Sequence, residues 1–491
     1  MTTSLSPSPA RLAPLPSPAV VARVEASAAV ATIDVVGARR WLALAIGSLI
    51  VAGGLALFLV IGRVPPLDRL FDDPLAFKRG LVVHVVLALV VWFFAFIGGL
   101  WRLLPAADGA RWSARVGHAV SALGVVALVC AAAWPGSEPV LSNYVPMIDN
   151  PLFVGGVIAF GAGLVVSLLD ARLAPSGELD RPGAPPLVPP AARPALRAAA
   201  LAILVAALTF AASAWTTPDY LAAEPWFEQV VWGGGHVLQF ASSAAMCAVW
   251  LMLLTSALGR SPLSRPVTGI VFGLFVLPLM VAPLMADTQA PGSRTFFTRL
   301  MELAIFPAVS LVLVACVVAV VRAARRDGRR VLHDRRVLGF GASAALTLLG
   351  FGLGASIDGS NTMVPAHYHA SIGAVTAAFM TVAYDLFAPL GLGPPGPRTA
   401  WLARWQPLAF GFGQTVFAAG FAIAGAHGLA RKTYGAEQSA TDAGHTVGLV
   451  VMGVGGLVAV AAGLAFLAAC VSAWRRRARA PHPRHSRRSP A

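Results

Sequence analysis

The chain has 491 residues, 57% of them hydrophobic and 12% charged, with a mean hydropathy of +0.73. That balance excludes an ordinary soluble domain and implies an integral membrane protein. The formal net charge of +15 does not call for a nucleic-acid partner, because the basic residues gather in particular loops and at the C-terminus, as membrane topology demands.

In chain order, residues 1–40 are rich in Pro, Ala and Ser and read as a disordered cytoplasmic leader, not a cleaved signal peptide. Twelve apolar runs follow, each long enough to cross a hydrocarbon core of about 30 Å. They fall near 41–62, 80–101, 116–134, 151–170, 195–215, 226–258, 266–286, 297–321, 337–357, 363–390, 405–426 and 445–473. The expected fold is therefore all-α, a polytopic membrane bundle of about twelve transmembrane helices forming one domain over 41–474. Arginines crowd the loops after runs 2, 4, 6, 8 and 10, while loops such as Gly136 to Asn150 and Thr216 to Glu224 are nearly free of Lys and Arg. This alternation places both termini in the cytoplasm and the protein in the inner membrane. The segment from Asp170 to Arg197 reads as a Pro-rich cytoplasmic linker, and residues 475–491 as a basic tail contacting lipid headgroups.

Cys130, Cys247, Cys316 and Cys470 stand in separate apolar runs with no CxxC or CxxCH motif. Covalently attached haem c, a thiolate zinc site and a binuclear copper site built on paired cysteines are excluded.

The histidines carry the chemistry. His84, His236, His367 and His369 all lie in the first halves of runs 2, 6 and 10, which share one direction across the membrane. Ionisable groups at a common membrane depth on separate helices favour a cofactor site. His367 and His369 are two residues apart on one helix, so they point about 200° apart and cannot share one metal. Neutral imidazole is the usual axial ligand of haem iron, and two from facing helices make a six-coordinate electron-transfer haem. At least two metal centres are expected, with His84 pairing one member of the His367/His369 couple.

Twelve spans with His in helix 2, His in helix 6 and His-x-His in helix 10 resemble subunit I of the haem-copper oxidase superfamily, including cbb3-type oxidases and nitric oxide reductases. The stretches carrying the resemblance begin at His84, run from Trp232 to Val237, and run from His367 to Ala370. The resemblance implies that His84 and His369 are axial ligands of a low-spin haem and that His367 is the proximal ligand of a high-spin haem. It makes His236 the helix 6 ligand of an adjacent copper or non-haem iron, and His236 and His367 the catalytic pair. The basic residues Arg431 and Lys432 resemble the pair that contacts haem propionates.

It further implies two non-covalent haems, b-type by expectation, passing electrons toward reduction of O2 or NO in a respiratory oxidoreductase. The electrons would come from a separate donor subunit of cytochrome c or cupredoxin type, or from a quinol-linked complex.

The sequence departs from the family in helix 7. Where two adjacent histidines complete the second-metal site, this chain has Phe275 to Asp287 with no histidine. Met285 and Asp287 could be imagined as substitute ligands, although such residues more often serve packing and capping. Glu228 and Glu302 could relay protons from the outside, with an Arg299–Glu302 pair at i,i+3 as the plainer reading of the latter. Two other functions remain open: a haem-bearing electron-transfer or gas-sensing subunit without catalytic reduction, and a twelve-span secondary transporter.

Overall fold

Inside a bilayer every backbone N–H and C=O must find its partner within the protein, and helices meet that demand segment by segment. The computed structural model describes residues 33–477 except 66, 68–72, 107–110, 135–136, 174–185, 394–395, 434–437 and 439–441. Among them are twelve long helices: α1 (Val35–Ile61), α2 (Pro74–Val85, Val86–Val91 and Trp92–Arg102 in succession), α3 (Arg111–Ala132), α4 (Pro151–Leu168), α5 (Arg193–Thr216) and α6 (Ala223–Leu258), then α7 (Arg265–Val276), α8 (Ser293–Asp327), α9 (Arg335–Ala355), α10 (Met363–Leu386), α11 (Pro397–Ala426) and α12 (Ala443–Arg477).

Each coincides with one of the twelve apolar runs. Eleven are long and apolar enough to cross a membrane. The twelfth, α10, carries the polar series His367, Tyr368 and His369 and, in its last turn, Tyr384 and Asp385. The chain is an integral, multi-pass membrane protein.

Local chemistry sets the helix ends. Asp34 accepts the Gly37 N–H at 2.8 Å, so α1 begins at Val35 and takes in residues 35–40, which the sequence assigned to the leader. The rest of that leader, residues 1–32, and the tail from 478 lie outside the described residues. Pro74 opens α2 behind the Asp73 cap, and Pro151 opens α4 behind Asn150.

Two helices leave regular geometry. In α2 the turn Val86–Val91 widens to a π-helix immediately after His84. Beyond α7, Leu277–Met285 tightens into a 3₁₀ helix containing Pro278 and Pro283, whose missing N–H groups cannot continue an α-helical ladder.

Both ends of the bundle emerge on one face. There Arg39 donates to the Leu390 carbonyl at 2.9 Å and Arg476 reaches Thr399 at 3.3 Å, joining α1 to the turn before α11 and α12 to the first turn of α11. The same face holds a buried charge cluster. Asp170 accepts from Arg102 at 3.0 Å and Arg172 at 2.7 Å, the three side chains being 3%, 2% and 7% exposed. Arg197 donates to the Arg172 carbonyl at 2.8 Å, so both described ends of the expected linker are packed down.

On the opposite face a two-stranded antiparallel hairpin, β1 (Glu138–Val140) and β2 (Met147–Asp149), joins α3 to α4 with Pro139 opposite Ile148. At its tip Tyr144 adopts φ +65°, the one non-glycine residue with positive φ among the described residues.

Candidate haem-ligand site

The first half of α10 sends its two histidines to different neighbours. His367 turns to α9, where its Nδ1 donates to the Gly350 carbonyl at 2.7 Å. Gly354, one turn further along α9, has no side chain because a Cβ there would meet the His367 ring at 2.8 Å. His369 turns to α11 and packs on Phe417 and Phe421, with ring centroids 4.6 and 5.9 Å away. It also lies within electrostatic reach of His84 and Arg63. His84 itself donates from Nδ1 to the Ala52 carbonyl of α1 at 2.8 Å, just before the π turn.

These bonds fix which nitrogen is free. A carbonyl oxygen only accepts, so Nδ1 carries the proton in both His84 and His367 and Nε2 keeps its lone pair. A metal-binding histidine is oriented in this way, by donating its second nitrogen to a backbone carbonyl. Among the described residues no hydrogen bond reaches either nitrogen of His369. His84 and His369 are both partly buried. Two imidazoles with available nitrogens fit the chemistry of a bis-histidine haem, and His367, with its free Nε2 and its different neighbouring helix, fits a second haem.

The basic pair sits close by. Asn361 bridges Ala430, and the Thr362 N–H donates to the Leu429 carbonyl at 2.9 Å, clamping the turn after α11 onto the first turn of α10. Arg431 then donates to Ser360 at 3.1 Å. Partial burial lowers the pKa of Lys432, opposed by the nearby Glu228 carboxylate. Arg63, at the end of α1, donates to the Thr433 carbonyl at 3.2 Å and lies 5.2 Å over the Phe421 ring. Arg63 thus stands beside His369, whereas Arg431 and Lys432 also lie within electrostatic reach of the Tyr144–Glu228 cluster. Sequence reasoning missed Arg63, although a lone arginine at the expected outer end of helix 1 is itself an anomaly.

His236 has a different setting. It is 1% exposed, its Nδ1 donates to the Trp232 carbonyl at 2.8 Å, and its Nε2 accepts from the Tyr144 hydroxyl at 2.8 Å. Both ring nitrogens are engaged. Gly235 makes room, since a Cβ there would stand 2.4 Å from the Tyr144 Cβ. Tyr144 is held in turn by its neighbour: Glu228 accepts from the Asn143 backbone N–H at 2.8 Å and from the Asn143 amide. Arg294 bonds Glu228 at 3.3 Å and covers the Trp232 ring at 4.0 Å. Burial first, then the Glu228 carboxylate, raise the Tyr144 phenol above its usual range and keep it protonated as a donor.

Depth separates this cluster from His367. Trp250 of α6 donates to Ser343 of α9 at 2.8 Å, which sets a common level. Counting along each helix toward the hairpin-bearing face, His236 is about 21 Å above it and Gly350, the partner of His367, about 10 Å. Among the described residues no group of three or more His, Cys, Asp or Glu could hold a metal ion.

The remaining candidates take structural places. Glu302 pairs with Arg299 at 2.8 Å on an exposed face of α8. Asp287 accepts the Gln289 N–H at 3.0 Å, as a cap does, and Met285 is 41% exposed. His427 pairs with Asp442 at 2.7 Å and accepts from His445 through its carbonyl at 2.8 Å.

No family model matches the sequence. An uncharacterised protein of Aquifex aeolicus (strain VF5) is 26% identical over 353 residues, covering 72% of this chain and 84% of that protein. Another, from Rickettsia prowazekii (strain Madrid E), is 24% identical over 503 residues, covering 88% and 95%. Among solved structures, a haem-copper terminal oxidase dimer superposes with a TM-score of 0.68 at 15% identity, over 91% of this chain and 85% of that one. At that identity the likeness is one of fold, and the chain shares the helical architecture of that oxidase.

Proposed function

We propose that this chain is a haem-binding subunit of a respiratory oxidoreductase in the inner membrane, with one haem between His84 and His369 and a second on His367. The observation that carries this reading is the tautomer shared by His84 and His367: each gives its Nδ1 proton to a carbonyl of a neighbouring helix and keeps Nε2 for a metal. Haem bound at these nitrogens would supply one-electron transfer and, on the His367 side, a coordination position for a diatomic gas, O2 or NO. The chain's own part is orientation and charge. Ala52 and Gly350 hold the rings, Phe417 and Phe421 wall the His369 side, and Arg63, Arg431 and Lys432 offer cations to propionates. Electrons would be delivered by a separate cytochrome c or cupredoxin-type subunit, or by a quinol-linked partner.

A second reading, haem-based electron transfer or gas sensing without a second metal, is favoured by His236. Its lone pair already accepts the Tyr144 proton, so a copper or non-haem iron there would have to displace the phenol.

Purified protein decides between them. The proposal expects two non-covalent haems per chain and a reduced-minus-oxidised spectrum with a haem band; a colourless protein overturns it and leaves the transporter reading. One further equivalent of copper or iron, lost in His236→Ala, would favour catalytic reduction. Haem iron alone would favour the second reading. His84→Ala and His369→Ala should each abolish the low-spin signal, whereas His367→Ala should spare it.

A further inference from the structure

The termini-bearing face contains a feature unconnected with His84, His236, His367 and His369. A pocket of about 410 Å³ opens between the start of α9, the end of α10 and the first turns of α11, lined by His333, Arg335, Arg336, Tyr384 and Arg404. Its acids are already occupied. Asp385 takes Arg335 and, at 3.1 Å, Arg336, and Asp334 lies 3.6 Å from Arg336 while capping α9. Two donors are left over. The Nη1 of Arg335 is buried with no hydrogen-bond partner, and Arg404 has no acidic partner among the described residues. A buried guanidinium N–H without an acceptor is costly, and a second cation beside it makes an anion the natural complement.

The surroundings say which anion. Trp401 and Trp405, 64% and 44% exposed, flank the pocket on α11, and Arg404 lies 5.3 Å from the Trp405 ring. Exposed tryptophans at a helix end mark the headgroup level of a bilayer. Deeper along the same helix Phe412 is 64% exposed, continuing an apolar surface on which an acyl chain can lie. A soluble phosphate would use the arginines but not this surface.

We propose that this pocket binds the phosphodiester headgroup of an anionic phospholipid, with Arg335 and Arg404 as its donors and its acyl chains along α11. Basic pockets between transmembrane helices are suited to such headgroups.

The test uses the full chain purified in neutral detergent and washed free of loose lipid. Native mass spectrometry should find retained phosphatidylglycerol or cardiolipin, and adding phosphatidylglycerol should raise the melting temperature where phosphatidylcholine does not. Arg404→Gln removes one donor from an exposed position without disturbing Asp385, and should weaken retention about fivefold, the share of one basic residue. Arg404→Glu should abolish it. Equal retention of phosphatidylglycerol and phosphatidylcholine, or unchanged retention in both variants, overturns the proposal. Stabilisation by millimolar inorganic phosphate equal to that by phosphatidylglycerol also overturns it, in favour of a soluble anion.

Discussion

Tyr144 donates its hydroxyl to Nε2 of His236 at 2.8 Å, although the two residues are 92 positions apart in the chain. The bond joins an extramembrane hairpin to the one histidine of the four expected ligands whose nitrogens are both engaged. Tyr144→Phe should therefore leave a buried acceptor unpaired and destabilise the protein by about 1–3 kcal/mol. Adding His236→Phe to that variant should cost little more, because the orphaned nitrogen disappears with it. Chemical denaturation in detergent measures both, and a Tyr144→Phe protein as stable as the parent would show that the bond contributes nothing.

Gly354 leaves space for the His367 ring. A methyl group there would stand 2.8 Å from the imidazole and force it off the Gly350 carbonyl. Gly354→Ala should fold, keep the low-spin signal of His84 and His369, and lose carbon monoxide binding on the His367 side. Visible spectra with and without carbon monoxide read both. Loss of the low-spin signal alone would contradict the assignment of the two faces.

Asp170 neutralises two buried arginines. Asp170→Ala strands Arg102 and Arg172 in the interior and should cost about 3–5 kcal/mol, the range for removing one partner of a buried pair. Glu302→Ala, which breaks the exposed pair with Arg299, should cost under about 1 kcal/mol. Melting temperatures of the two variants should differ accordingly, and similar values would mean that burial does not govern the cluster.

Lys432 gives a pH signature. Burial lowers its pKa from 10.5, so the charged form is disfavoured in the folded protein. That penalty is full below the folded pKa and vanishes as the pH rises past the unfolded value near 10.5. In haem-free protein, Lys432→Met should therefore be slightly more stable than the parent at pH 7, by about half a kcal/mol or less given solvent screening. The difference should close in alkaline solution. With haem bound the sign should reverse at pH 7, because a propionate would replace the missing counter-charge. A variant less stable than the parent in both forms would remove Lys432 from the propionate site.

The twelve spans were legible because hydropathy at helix length is a strong, local signal, and the His367/His369 divergence followed from helical geometry alone. The placement of His84 near His369 also accords with their common depth in the sequence. Other partners left no such trace. Ala52 and Gly350 act through their carbonyls, which every residue possesses, so no side-chain pattern marks them. Tyr144 lies in a short hairpin without periodicity, and its approach depends on Gly235 and on the Asn143–Glu228 bonds, all set by tertiary structure. Depth along a helix was also a coarse guide for His236: it shares the hairpin-side half of the bundle with His367 yet is taken up by Tyr144 of the hairpin.

The bonds from Thr362 to Leu429 and between Asn361 and Ala430 join the turn after α11 to the head of α10. That pairing holds Leu429 and Ala430 in fixed register with the helix that carries His367 and His369, so the backbone around Arg431 is set by α10 and not by the turn's own sequence.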